Sequence, residues 1–328
     1  MTPRGWWPAL ALLAAISAVA GALLGAAASP ASPHERRPPY SVERDLDYRR
    51  GPPAQRASDL LDLYRPRGLR AGARRPVVVW IHGGGWRRGD KRTGARRKAE
   101  LFTGAGYLFA SVNYRLSPLE FDARAPDPGR VRFPDHPADV GEALGWLRRH
   151  VAGRNGDPRR LLLIGHSAGA HLAALVATEP RFARAHGVGR RNVIGFVSLD
   201  APAFDLTAAA DPAGERSREQ REMIWNAFAT PEENAFDDAW AAGSPLRAAG
   251  PGDPPGLIVT QAALPQRVDE ATRMAVALGR DPAASVLALE LDHREINHAL
   301  GERSDRSGET AAVMSFVRRL AAGARAPR

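Results

Sequence analysis

Leu161-Leu162-Leu163-Ile164-Gly165-His166-Ser167-Ala168-Gly169 is the stretch that decides the fold of this 328-residue chain. Four consecutive apolar residues lead into G-x-S-x-G, and an Ala- and Leu-rich segment of helical character follows. A short, continuous apolar run reads as a strand buried on both faces. The serine therefore falls on a sharp strand-to-helix turn, where the backbone is strained and glycines on either side make room. Its hydroxyl is expected to stand clear of the sheet at a helix N-terminus. That placement suits a nucleophile better than an incidental turn serine.

Outward from this point the pattern repeats. Val77-Val78-Val79-Trp80-Ile81 is a second buried strand, and residues 108–113, 193–199, 257–260 and 286–291 are four more. Helix-like stretches lie at about 138–152, 168–178, 266–279 and 308–322. Alternation of this kind, with strands apolar on both faces, predicts an α/β fold with a mostly parallel central sheet flanked by helices. Residues 42–48 and 60–64 are expected to add an antiparallel edge. Residues 205–250 break the rhythm and read as an insertion over the carboxyl edge of the sheet, where a lid or acyl pocket would sit.

The strand at 77–81 runs directly into His82-Gly83-Gly84-Gly85-Trp86. Acyl transfer builds negative charge on a carbonyl oxygen, and aimed backbone N–H groups answer it. Glycine lets main chain approach without a Cβ in the way. The N–H groups of Gly83, Gly84 and Ala168 are the expected oxyanion hole. A serine hydroxyl also needs a general base. His293, two residues beyond the strand at 286–291, is the preferred candidate. His298 competes with it, and its alternative role is a helix-surface or substrate-lining imidazole. A carboxylate should orient that histidine, but the segment from Gln261 to Arg267 after the strand at 257–260 holds none. Asp200, at the end of the preceding strand, is favoured over Asp269, which falls on the following helix. Asp205 reads more simply as a helix cap.

The net charge of +10 comes almost wholly from Arg, since only Lys91 and Lys98 among the 46 basic residues are Lys. No nucleic-acid-binding pattern accompanies the charge, so no nucleic-acid partner is expected. The cluster Arg87, Arg88, Lys91, Arg92, Arg96, Arg97 and Lys98 reads as a solvated face; its alternative is attraction of acidic esters or an anionic envelope surface. The absence of Cys excludes disulfides, a thiol nucleophile and a cysteine-linked lipid anchor. No metal-ligand spacing, phosphate loop or dinucleotide fingerprint appears, so no cofactor or metal is expected.

Residues 1–29 have a basic start, an apolar run over 6–24 and a small-residue exit, the marks of a secretory signal peptide. The run is also long enough to serve as an uncleaved membrane anchor. Residues 30–39 are a Pro-rich spacer, and 40–328 read as one catalytic domain. The expected location is therefore secreted or periplasmic, or tethered to the membrane through residues 6–24.

Taken together, these residues resemble the hormone-sensitive-lipase-like and feruloyl-esterase-like (BD-FAE-type) branch of the α/β-hydrolases. The similarity includes Leu61-Asp62-Leu63-Tyr64-Arg65-Pro66, Asn113-Tyr114-Arg115-Leu116, Phe133-Pro134 leading through Asp139 to Trp146, and Ser244-Pro245-Leu246. It implies a cofactor-free Ser-His-acid esterase acting on small or medium acyl esters; with the residues read above, the triad expected is Ser167, His293 and Asp200, with Asp269 as the alternative acid. The departure is the missing acid after the penultimate strand, where the family usually carries an Asp. Two other readings stay open: an amidase of the same fold, like the kynurenine formamidases, and a non-catalytic scaffold that binds a ligand.

Overall fold

The computed structural model describes residues 38–49 and 57–323, all within one compact unit, Pro38–Arg328. Residues 1–29, read above as a signal peptide or anchor, and nearly all of the spacer lie outside the described residues. Among the described residues, no helix is long and apolar enough to cross a membrane.

Eight strands form one sheet: β1 (Tyr40–Asp47), β2 (Leu60–Pro66), β3 (Arg75–Ile81), β4 (Leu108–Val112), β5 (Gly156–His166), β6 (Val193–Leu199), β7 (Gly256–Gln261) and β8 (Val286–Leu289). Their order is β1-β2-β4-β3-β5-β6-β7-β8. The first two pairings are antiparallel and the rest parallel. All six of these strands read from the sequence are present, as is the antiparallel edge, but β8 is an edge strand, shorter than expected and only part-buried.

Period-two alternation divides the strands between two cores. Val77, Val79, Ile81, Leu161 and Leu163 face one layer, while Val78, Trp80, Leu162 and Ile164 face the other. The first layer holds α2 (Asp135–His150), α3 (Ala168–Thr178), α4 (Arg181–Arg184) and α10 (Pro265–Ala277). The second holds α1 (Ala95–Gly104), α12 (His293–Ala299) and α13 (Glu309–Gly323). The short α11 (Pro282–Ser285) leads into β8.

Helix α1 was not among the helical stretches expected from the sequence. Its buried face, Ala95, Lys98, Ala99, Phe102 and Thr103, has helical spacing but little apolar mass, and exposed Arg residues fill the rest. The basic cluster is also not uniformly solvated, because Lys91 and Lys98 are both buried. Lys91 Nζ pairs with Asp45 and Asp62, each at 2.7 Å, where β1 bulges against β2. Lys98 Nζ donates to the carbonyl of Gly94 and to both oxygens of Asn297, and sits 4.4 Å from the Trp80 ring. It thereby ties α1 to α12.

The insertion is built of α5 (Leu206–Ala210), α6 (Arg218–Ala227), α7 (Pro231–Asp237), α8 (Ala239–Ala242) and α9 (Pro245–Ala248). Ser217 and Gln220 cap α6 reciprocally, as Thr230 and Glu233 cap α7. A buried guanidinium fastens the insertion to the long loop after β4. Arg130 makes two 2.6 Å bonds to the Glu233 carboxylate and donates to the carbonyls of Trp225 and Asn226. Breaking a buried pair from one side leaves an uncompensated charge. Glu233→Ala should therefore lower the unfolding free energy by about 3 kcal/mol, read from urea denaturation. A loss below about 1 kcal/mol would show the pair to be replaceable by water.

Candidate active site

The glycine–serine turn is wedged between two neighbouring strands. Ser167 has φ 54° and ψ −124°, a conformation costly for any residue with a Cβ. Its N–H donates to the Leu199 carbonyl at 2.9 Å, and its own carbonyl accepts from Ala170 and His171. A Cβ at Gly169 would collide with the carbonyls of Ile81 and His82, and one at Gly165 with the backbone of Gly169. Close approach of α3 to β3 thus requires both glycines and presents Ser167 half-buried at the sheet's edge. Ala168 opens α3, so its N–H has no partner within the helix.

The 82–86 loop lies against this turn. A Cβ on Gly83 would come 3.0 Å from Ser167 Cβ and 2.8 Å from the His166 carbonyl. Gly84, Gly85 and Trp86 all have positive φ, at 120°, 61° and 58°. His82 Nδ1 donates to the Gly83 carbonyl at 2.8 Å, and its ring stacks on Tyr114, whose hydroxyl donates back to the His82 carbonyl. Burial pulls the His82 pKa down to about 4, so the ring is neutral at pH 7. Trp86 meets His171 and Phe228 edge-on, fixing the loop to the core. Met223 of α6 reaches Gly85 from the insertion side: its Sδ lies 2.7 Å from where a Cβ would stand.

His293 is the first residue of α12, fixed there by a capping box. Asp292 accepts from the N–H groups of Arg294 and Glu295, and Glu295 accepts from the Asp292 N–H. His293 Nδ1 lies 2.5 Å from Asp200 Oδ2. Asp200 is fully buried and left-handed at φ 50°, with its N–H on the Val259 carbonyl. Gln261 Nε2 donates to the same Oδ2 at 2.6 Å, Thr260 Oγ1 to Oδ1 at 3.4 Å, and Arg267 Nη1 lies 3.5 Å from Oδ1. Burial pushes the Asp200 carboxyl up, but the bonds from His293 and Gln261 and the charge of Arg267 outweigh it. The net effect holds its pKa below the ordinary carboxylate value.

His166 joins the pieces. Its Nε2 donates to the backbone carbonyl of His293 at 2.8 Å, and the two rings lie 4.5 Å apart. Burial, and next the charge of His293, lower its pKa to about 3, so it is a neutral donor here. The sequence placed His166 inside the turn but gave it no part. Gln261 and Arg267 were also missed, since neither an amide nor a helix-borne guanidinium signals a carboxylate site.

The competing candidates fall elsewhere. Asp269 lies on α10, whereas the carboxylate bonded to His293 is that of Asp200. Asp205 caps α5, accepting from Thr207 and Ala208. His298 is exposed on α12, beside a surface cavity it lines with Arg92, Arg96 and Arg97. His136 is buried within α2 and bonded to Ser117. Among the described residues, no group of His, Asp and Glu is arranged to hold a metal ion.

A mostly parallel sheet, a strained serine between strand and helix, and a glycine loop against it define an α/β-hydrolase. The BD-FAE family model matches residues 61–259, and the chain belongs to that family. Among curated relatives, esterase LipQ of Mycobacterium tuberculosis is 36% identical over 146 residues, 44% of this chain and 30% of that protein. The chain spans under a third of the length of the first curated relatives it matches. Among solved structures, a truncated carbohydrate esterase from gut microbiota superposes with TM-score 0.65 at 17% identity, covering 87% of this chain and 98% of that one. Thermogutta terrifontis esterase 2, phosphonylated by sarin, gives TM-score 0.65 at 21% identity, with 89% and 98% covered. At these identities the likeness is one of fold.

The depressed Asp200 pKa has a sign that stability measurements can read. A carboxylate held below its unfolded value of about 3.9 contributes stability at higher pH and loses it as pH falls through the folded pKa. Asp200→Asn should remove this contribution, so its unfolding free energy should fall less steeply than wild type below about pH 4. Parallel acid limbs in urea titrations of the two proteins would contradict the depressed pKa.

Proposed function

We propose that the chain is a serine carboxylic-ester hydrolase, with Ser167 as nucleophile, His293 as general base and Asp200 as the orienting acid. The observation that carries this reading is the bond between His293 and a buried, strapped-down carboxylate at the same sheet edge as the strained serine. Because Asp200 accepts from Nδ1, the imidazole proton sits there and the Nε2 lone pair is free to take the serine proton.

In this mechanism Ser167 Oγ attacks the ester carbonyl as His293 removes its proton. The N–H groups of Gly83, Gly84 and Ala168 hold the oxyanion, each worth about 3–4 kcal/mol in the transition state. Protonated His293 gives its proton to the leaving alcohol and the acyl-enzyme remains. Water, deprotonated by His293, then repeats the attack and frees the acid. The substrates are small or medium acyl esters, and Met223 on the insertion reaches the glycine loop at Gly85. Export through residues 1–29, cleaved or retained as an anchor, belongs to the same reading; the mass of the mature chain tests which.

The experiment is hydrolysis of p-nitrophenyl acetate and butyrate by wild type, Ser167→Ala, Asp200→Asn and Asp269→Asn. Ser167→Ala should abolish turnover in a folded protein. Asp200→Asn should lower kcat by about 10⁴ through the wrong imidazole tautomer, with Asp269→Asn near wild type. Retained turnover in Ser167→Ala would overturn the nucleophile, and a loss confined to Asp269→Asn would overturn the acid.

A further inference from the structure

The acid of this site stands on β6, and the end of β7 carries Gln261, an uncharged donor that spends its N–H on the same carboxylate oxygen as His293. A lone buried carboxylate beside an imidazole orients it, and also stabilises its protonated form. Too much of that stabilisation would keep the base protonated, and so idle, in mildly acid conditions. Arg267 stands on the far side of the same carboxylate. Its Nη1 lies 3.5 Å from Oδ1, and the side chain is 16% exposed. The guanidinium also donates to the Ala201 carbonyl, which fixes it across the carboxylate.

We infer that Arg267 is a positioning residue that works through Asp200, offsetting part of its charge so that His293 stays a free base to lower pH. The inference rests on His293 being the base. Several other titratable groups stand near the imidazole. Asp200 faces it from β6, His166 from β5, and Asp292 precedes it at the start of α12. Lys98 of α1 acts from behind, through His166. Arg267 in turn borders a polar cavity with Asp205, Arg216, Asp269, Glu270 and Arg273. Glu270 is committed to the N–H groups of Phe204 and Asp205, and Arg273 lies 3.6 Å from Asp205. Of this set, only Arg267 forms an ion pair with the Asp200 carboxylate.

The test replaces the charge while keeping the stem, comparing Arg267→Met and Arg267→Lys with wild type in kcat/KM against pH. In Arg267→Met the acidic limb should move up by roughly half to one pH unit, the scale of one partly screened charge at this range. Arg267→Lys should bring it back towards wild type. A fall in kcat with an unmoved limb would overturn the inference and reduce Arg267 to a prop for Ala201; so would a downward shift. Should Arg267→Met fail to fold, Arg267→Gln removes the same charge with a polar end and is read the same way. The His293 imidazole can also be titrated by NMR in Ser167→Ala, with and without Arg267→Met, where no turnover is needed. An unmoved imidazole there overturns the role of Arg267 alone. Retained hydrolysis in Ser167→Ala would instead overturn the functional reading itself.

Discussion

The parallel register of the central strands is the constraint on which the site depends. Ile81 lies opposite Gly165, His166 opposite Leu199, and Leu199 opposite Val259. The chain therefore leaves β3, β5 and β6 nearly in step, and the next residues (His82, Ser167 and Asp200) emerge along one edge. Ser167 N–H closes on Leu199 and Asp200 N–H on Val259, so each strained residue is held by the adjacent strand, Ser167 also through its carbonyl by the start of α3. Slipping β6 by one residue would turn Asp200 to the other side of the sheet. Backbone strain at Ser167 and Asp200 persists because these hydrogen bonds, and at Asp200 the side-chain bonds from Thr260, Gln261 and His293, over-determine it.

The same register explains how a carboxylate just after β6 bonds a histidine that follows β8. Thr260 and Gln261 end the strand between them, and each donates a side-chain bond to Asp200 instead of supplying a carboxylate. β7 thus contributes donors where an acceptor was expected from the sequence. His166 lies against His293, and burial keeps it neutral, as it does the other buried imidazoles: His82, His136, His166 and His171 all have pKa values pulled far below the ordinary range. Each is committed to a carbonyl or hydroxyl partner. His293 differs in having 40% of its side chain exposed and a carboxylate on Nδ1.

Much of this was legible in the sequence, and the illegible parts have physical reasons. Strands apolar on both faces announce themselves because nothing polar can replace Val77–Val79 or Leu161–Leu163 inside a covered sheet. Ser167 was legible through its glycines, and His293 through its distance from a strand end. The choice between Asp200 and Asp269 was not, since it turns on whether a carboxylate ends a strand or rides a helix. Helix α1 was hidden because its buried face is two alanines, a phenylalanine, a threonine and a lysine. Lys98 looked like surface because charge implies water unless carbonyls and a ring replace it, as Gly94, Asn297 and Trp80 do here. Arg267 needed the rotation of α10 about its axis, which a short amphipathic pattern does not fix.

The burial of Lys91 and Lys98 has a practical side. They are the chain's only lysines, and both amines are enclosed and engaged. The basic exterior is thus guanidinium, which keeps its proton well past the alkaline range where a lysine coat would discharge. Reagents that seek primary amines, such as activated-ester dyes or aldehyde supports, would find no exposed side chain to couple to. A conjugate of this protein would have to be built through carboxylates or an introduced cysteine. The missing native thiols would make that cysteine a unique handle.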